Sequence, residues 1–447
     1  MVLSLSLVKE AVVNLESNIG EKIKTPELNE KDIIADLHIH SRYSRATSKN
    51  LSIDNLVKWA RVKGINLLGT GDISHEEWLK EIGEKLVEDK EKGIYWYSDN
   101  VGKFAFVLSG EISLVFTSLG KGRRVHLVYL VPNLQVNAKI NQYLDSKGRR
   151  DYDGRPIFSI SCEEFTRKLK EIDSRIEIIP AHAWTPWFGV FGSESGFDSL
   201  RDAFGKEYER INAIETGMSS DPEMNWKIKE LEEKAIISFS DSHSFWPWRL
   251  GREATIFNSS FGVESFSFNE MIKQIKEKTY KSTIETDPCY GKYHYDWHRL
   301  CGFSCSPQKT KELNGICPVC KKELVIGVEN RVEKLSNNKN IPKNAKPFFK
   351  ILPLHELIAF AINSKVESKK TWEIYNKLIE RFGNEINILL RVDRNLIFSE
   401  LAKLKLEKLG ELIIDNRIAN LKVQPGFDGE YGKLVDKDKK KETQITL

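Results

Sequence analysis

The chain has 447 residues, 40% hydrophobic and 30% charged, and its net charge is only +4. That balance predicts a globular protein of roughly two to four domains. It excludes a generic polycation, so any nucleic-acid contact must come from local basic surface. Met1 to Glu10 begins apolar but meets Lys9 and Glu10 early, without a basic start or a small-residue cleavage site, and no later apolar run reaches membrane-spanning length. A cytoplasmic protein with no membrane partner is expected.

Residues 1–30 read as an N-terminal helical extension. From 31 to 288 the text alternates strand, loop and helix, with short apolar, β-branched-rich runs at 33–36, 65–70, 104–108, 124–128, 176–180, 211–215 and 236–240. Such runs mark strands buried on both faces, and the amphipathic stretches between them point to an α/β barrel with a parallel sheet of about seven strands. Residues 289–330 change character, with aromatic residues, histidines and cysteines replacing the strand–helix rhythm. Residues 331–430 read as a mixed-charge helical domain, and 431–447 as a charged, disordered tail.

In α/β barrels, functional groups gather at the C-terminal strand ends. This chain keeps acidic residues and six of its nine histidines there: Asp36, His38, His40, Asp72, His75, Glu111, His126, His182, Asp241 and His243. His38 and His40 are spaced i, i+2, so both imidazoles point to one side of a strand and can hold one ion. Asp241 and His243 repeat that spacing. Glu111 can bridge two ions, His126 and His182 can complete the second, and His75 with His243 can serve a third. Mixed nitrogen and oxygen donors suit Zn or Mn and hydrolysis at phosphorus. Three carboxylates admit other roles: Asp72 can cap a turn, Asp36 can orient an imidazole, and Glu215 can orient a ligand or cap a helix.

His298-x2-Cys301-x15-Cys317-x2-Cys320 has the spacing of a closed tetrahedral zinc site, with Cys305 an alternative to His298. Cys162 and Cys289 stand apart. Lys292, Tyr293, Tyr295, Trp297 and Arg299 mix charge and rings as phosphate contact and base stacking require. Two aromatic loops follow ligand candidates: 183–193 after His182, and 245–249 after His243. Trp184, Trp187, Phe188, Trp246 and Arg249 are either a packed aromatic lid or contacts for a ligand beside the metals; with Tyr293 and Arg299 they are the candidates for DNA contact under the family resemblance given below.

The Asp36-Leu37-His38-Ile39-His40 segment, Glu111, His126, His182 and Asp241-Ser242-His243 together resemble the polymerase and histidinol phosphatase (PHP) superfamily. That resemblance implies a distorted PHP-type α/β barrel around two or three ions. His38, His40, Glu111 and Asp241 would hold the first ion, and Glu111, His126 and His182 the second. Many members carry a further ligand soon after the first His pair. This chain has Ser44-Arg45-Ala46 instead, which leaves the third ion and Asp72 open and makes Arg45 a candidate phosphate holder.

The stretch from Ile214 to Trp226, then Ser240-Asp241-Ser242-His243, Leu250-Gly251-Arg252-Glu253-Ala254, the cysteine module and Pro353-Leu354-His355-Glu356-Leu357-Ile358 follow an order that resembles the endonuclease Q family. The resemblance spans about 31–430. It implies a metal-dependent DNA repair endonuclease that incises on the 5′ side of deaminated bases (uracil, hypoxanthine, xanthine) or abasic sites and leaves 3′-hydroxyl and 5′-phosphate ends. Glu111, Asp241, Asp72 and Arg45 would be its catalytic residues. Zn is expected in the barrel and the cysteine module, with Mg or Mn able to support activity. The rival reading is a PHP-type phosphatase of a small phosphate monoester, similar to histidinol phosphatase. Gln444-Ile445-Thr446-Leu447 matches the first half of a sliding-clamp-binding box, which adds a clamp as a candidate partner.

Overall fold

A computed structural model describes residues 27–436. Most of the expected N-terminal extension and the clamp-box residues Gln444 to Leu447 lie outside the described residues.

Eight strands form the barrel: β1 (Ile33–Asp36), β2 (Leu67–Gly69), β3 (Gly102–Ser118), β4 (Lys121–Val131), β5 (Glu177–Pro180), β6 (Ala213–Glu215), β7 (Ala235–Ile237) and β8 (Ala254–Phe257). The first seven fall on the runs read from the sequence. Their continuous burial explains why no alternating pattern marks them: Ile33, Leu67, Ala105, Ile179, Ala213 and Ile237 share one interior cluster.

The sheet is mixed, not parallel as expected. β1 runs parallel to β2, and β2 to β3. β3 and β4 instead form a long antiparallel hairpin that turns at Leu119 and Gly120, both with positive φ. β4 pairs antiparallel with β5, and β6 parallel with β7. The eighth strand, β8, enters antiparallel beside β1. Its link to β7 is side-chain mediated: the Thr255 hydroxyl accepts from Ser238 N–H at 3.1 Å and donates to Ser238 O at 3.0 Å. On the other side the Ala183 N–H donates to Glu215 O at 3.0 Å, joining the end of β5 to β6 and closing the ring.

The sheet extends outward from β8 through Ser282–Glu285 and then Phe348–Lys350, which pair in parallel. Part of the expected helical domain therefore completes the barrel sheet. After it come helices Leu354–Ala361, Lys369–Phe382, Arg394–Lys403 and Glu407–Arg417. None of the helices among the described residues is long and apolar enough to cross a membrane. Tyr431 to Asp436, expected in a disordered tail, is placed: Lys433–Leu434 pairs antiparallel with Val423–Gln424.

The helical domain braces the loop that follows Asp241. Lys63 Nζ lies 2.7 Å from Glu385 Oε1 and also donates to Pro247 O, while the Tyr375 hydroxyl donates to Glu385 Oε2. Trp248 packs edge-on to His355, whose ring lies 3.8 Å from that of Tyr375. Because Lys63 and Glu385 are both buried, removing one partner strands a charge. Glu385→Ala should cost about 3–5 kcal/mol of stability, read as a lower urea midpoint, and a loss under 1 kcal/mol would refute the buried-pair account.

Candidate metal centre

Glu111 lies inside β3 rather than at a strand end, opposite Val128, and Ser113 lies opposite His126. Residues opposite in a hairpin share a face, as do residues two apart, so Glu111 and His126 project to the same side. The Ser109-Gly110 pair disguises this in the sequence by breaking a strand that in fact runs on to Ser118.

Two donor clusters meet at this carboxylate. In the first, His40 Nε2 is 3.2 Å from Glu111 Oε2 and 3.1 Å from Asp241 Oδ1, and His38 Nε2 is 3.4 and 3.5 Å from the same two oxygens. Four donors each about 2.0–2.2 Å from one ion are separated by tetrahedral edges of about 3.3–3.6 Å. In the second, Glu111 Oε1 is 2.9 Å from His126 Nδ1 and 3.3 Å from His182 Nε2, and those nitrogens are 3.2 Å apart. Each oxygen of one carboxylate thus serves a different cluster.

The imidazoles are aimed from behind. His38 Nδ1 lies 2.9 Å from Glu215 Oε1 and His40 Nδ1 lies 2.9 Å from Asp72 Oδ1. A carboxylate only accepts here, so each Nδ1 carries a proton and each Nε2 is the nitrogen that faces inward. Glu215 also accepts the His182 backbone N–H at 2.7 Å, and His182 Nδ1 lies 2.8 Å from Thr185 Oγ1. Asp72, His182 and Asp241 all have positive φ, backbone strain of the kind kept at functional sites. Gly217, also at positive φ, passes so close beneath His182 that a Cβ would overlap its Cα and Cβ.

The electrostatics call for a cation. Burial opposes charge on His38, yet Glu215, Glu111 and Asp241 outweigh it and hold its pKa well above the ordinary value. Burial likewise opposes charge on His40, where Asp72 leads the groups that raise it. Burial would raise Glu111 and Asp241, but nearby positive groups hold both well below the carboxylate range. His126 is pushed down to about 3, chiefly by burial, and so presents a neutral ring. His38 Nε2 is buried with no hydrogen-bond partner. Inward imidazole nitrogens where positive charge is favoured, a neutral imidazole at His126 and a shared carboxylate suit divalent ions, which would take the place of the protons.

The expected third-ion set is not brought together. Among the described residues only two donor groups form in the barrel: His38, His40, Glu111 and Asp241, and Glu111, His126 and His182. Asp72 is committed elsewhere, since its second oxygen accepts from Ser41 N–H, Ser41 Oγ and Ser44 Oγ. Both of its oxygens therefore face His40 and the two serines, behind the imidazole and outside the grouped donors. His75 stacks on Tyr43 with ring centroids 4.4 Å apart. His243 flanks the first cluster, its ring 4.5 Å from that of His40. Asp36 touches no imidazole; it accepts from Ser240 and Gly251 and pins the chain after β7 to β1. Arg45, the expected phosphate holder, is largely exposed and paired with Asp153. Arg155, which the sequence reading missed, reaches the centre instead: its Nη1 donates to Glu111 Oε2 at 3.0 Å. It sits in the irregular segment Gly154-Arg155-Pro156, where no periodicity points to it.

In the cysteine module the donor atoms of His298, Cys301, Cys317 and Cys320 lie within 4.8 Å of one another. Cys305 lies outside that group and contacts Thr310 Oγ1 at 3.2 Å. Desolvation opposes the Cys317 thiolate, but the backbone N–H groups of Cys320 and Val319 outweigh it and lower the thiol's pKa. The alternative ligand is thus set aside by geometry.

A cleft of about 560 Å³ opens onto His126, His182 and Asp241 and is walled by Trp187, Phe188, Arg249 and Tyr293. Three other candidates for DNA contact are elsewhere. Trp184 is fully buried, with its indole N–H donating to Asn225 Oδ1 at 2.7 Å. Trp246 packs with Trp59, Trp248 and Trp372 at the junction with the helical domain. Arg299 is exposed and pairs with Asp428. Aromatic loop composition alone does not separate rings facing the cleft from those packed beneath it. Arg252 and Tyr431 also line the cleft. The second is flanked by glycine on one side and lies in Gly429-Glu430-Tyr431-Gly432, a turn-rich signal obscured by the charged tail.

Because Glu215 acts only through His38 and His182, Glu215→Gln should weaken metal retention about 10–100-fold, measured by competition with a chelator. Unchanged retention would contradict its positioning role.

Residues 353–418 match the family model described as the MJ0043 C-terminal domain. The chain is 32% identical over 309 residues to uncharacterized protein MJ0043 of Methanocaldococcus jannaschii, covering 67% of this chain but 37% of that relative's length. It is 25% identical over 416 residues to uncharacterized protein YqxK of Bacillus subtilis (strain 168), covering 90% of this chain and 99% of that one. Among solved structures it is similar to the lesion-specific endonuclease PfuEndoQ from Pyrococcus furiosus, with a TM-score of 0.78, 30% identity and coverage of 90% of this chain and 95% of the other. It is also similar to an endonuclease Q in complex with a 27-mer duplex bearing an abasic lesion at the active site, with a TM-score of 0.79, 31% identity and coverage of 93% and 100%. Likeness at this identity, over nearly the whole of both solved chains, establishes that this chain belongs to the endonuclease Q family.

Proposed function

We propose that this chain is a metal-dependent DNA repair endonuclease that hydrolyses the phosphodiester on the 5′ side of a deaminated base or an abasic site, leaving 3′-hydroxyl and 5′-phosphate ends. The observation that carries this reading is the split use of Glu111, with one oxygen in each of two donor clusters at the floor of an aromatic, cationic cleft. The solved relative bound to abasic duplex supports the choice of DNA as partner.

Bound divalent ions would supply Lewis acidity, making water nucleophilic near neutral pH and neutralising charge on the phosphate. Zn suits the His298, Cys301, Cys317 and Cys320 set, and Zn, Mn or Mg the barrel set. The chain's own residues set the geometry. Glu215 and Asp72 fix the inward nitrogens of His38 and His40. Arg155 places its guanidinium beside Glu111 Oε2, where it can donate to an oxygen of the phosphate undergoing attack. Trp187 and Tyr293, with ring centroids 6.2 Å apart, offer faces for an unstacked nucleotide. A small monoester would leave these walls and the cysteine module without a task.

The test is cleavage of duplexes carrying uracil, hypoxanthine, an abasic site or no lesion, beside a small phosphate monoester. Incision is expected at the lesions alone, lost on chelation and restored by Mn, Mg or Zn. Glu111→Gln or Asp241→Asn should lower the rate by at least about 1,000-fold with DNA binding retained. Hydrolysis of the monoester without incision of any duplex would establish the phosphatase instead. Trp187→Ala should weaken binding of lesion-containing DNA more than of undamaged DNA, and equal losses on both would remove Trp187 from lesion recognition.

A further inference from the structure

One wall of the cleft carries three cations, Arg249, Arg252 and Lys292, that make no ion-pair contact among the described residues. Among the acidic groups nearby, Glu253 accepts from the Met218 and Thr286 N–H groups and the Ser238 hydroxyl, Asp428 pairs with Arg299, and Glu356 and Asp241 act on the arginines without an ion-pair contact.

The three cations converge on one phenol. The Arg249 guanidinium lies 4.5 Å, the Lys292 ammonium 4.7 Å and the Arg252 guanidinium 5.8 Å from the centroid of the Tyr431 ring. The Tyr431 hydroxyl is 3.1 Å from Arg252 Nη1. Arg252, only 9% exposed, is fixed by donating Nε and Nη2 to Ser240 O. Burial would raise the pKa of the phenol, but Arg252, Arg249 and Lys292 outweigh it and bring it down to about 8. The phenol thereby reports a cage that favours negative charge.

Tyr431 reaches this place because the hairpin carrying it is sewn to the loop after the barrel. Gly426 N–H donates to Cys289 O at 2.9 Å, Gly432 N–H to Tyr290 O at 3.0 Å, and Gly429 N–H to Lys292 O at 3.1 Å.

We propose that Arg249, Arg252, Lys292 and the Tyr431 hydroxyl form a clamp for a backbone phosphate of the DNA other than the scissile one. The chemistry fits a phosphodiester: two planar guanidinium forks, one ammonium point charge and one hydroxyl donor surround the space an anion would take. The identity of the ligand as DNA rests on the nuclease reading. The clamp positions the strand relative to the metal centre and does not read sequence.

The experiment measures equilibrium binding of undamaged duplex by the full, metal-loaded chain between roughly 50 and 200 mM salt. Lys292→Ala and Arg249→Ala should each lower the slope of log K against log salt by about 1 and weaken binding about three- to tenfold. Tyr431→Phe should weaken binding while leaving the slope unchanged. If Arg249→Ala fails to fold, judged by melting and metal content, Lys292→Ala and Tyr431→Phe decide the matter. Slopes and affinities equal to those of the parent chain would overturn the clamp. Incision assays on the parent separate the two ideas. A parent that incises lesions with unmoved slopes removes the clamp alone, whereas reduced slopes in a chain that incises nothing keep the clamp and remove the nuclease reading.

Discussion

One carboxylate holds the centre together. Glu111 is buried, and ionised carboxylates are costly to bury unless matched. The match comes from four imidazoles and the Arg155 guanidinium, each within 3.5 Å of one of its oxygens. Because Oε2 serves one cluster and Oε1 the other, a single rigid group sets the spacing of the two donor clusters. That group is fixed by the β3–β4 hairpin, which accounts for placing Glu111 in the middle of a long strand rather than on a mobile loop.

A layer of supporting groups keeps the donors aimed. Glu215 is the most economical, holding the His38 ring and the His182 backbone at once. Asp72 does the same for His40 while tying down Ser41 and Ser44. The helical domain extends this support through Lys63, Glu385 and the Trp248–His355 contact, bracing the chain that leaves Asp241. The C-terminal hairpin returns to the same cleft and delivers Tyr431. Elements far apart in sequence thus converge on one opening.

The histidines and carboxylates were legible because metal chemistry restricts residue type and because buried strands read as continuous apolar runs. Seven strands and the two donor sets could be read that way. β8 could not: Ala254-Thr255-Ile256-Phe257 is short, and its union with β7 depends on the Thr255 side chain rather than a ladder. The direction of β3 and β4 was hidden by Ser109-Gly110, which mimics a strand end. Asp72 lies behind His40 rather than among the grouped donors, a distinction spacing cannot make, because a carboxylate facing an ion and one orienting an imidazole read alike. Trp184 and Trp187 are three residues apart in one loop, yet one is core and the other wall; only packing separates them. Arg155 and Tyr431 reach the cleft from irregular backbone, where sequence periodicity is silent.

The central claim is that Glu111 bridges two divalent ions. Anomalous scattering from crystals equilibrated with Mn tests it most directly. The account predicts two peaks flanking the Glu111 carboxylate, one beside His38, His40 and Asp241 and one beside His126 and His182. A single peak that does not touch Glu111, or peaks centred on Asp72 and His75, would contradict it.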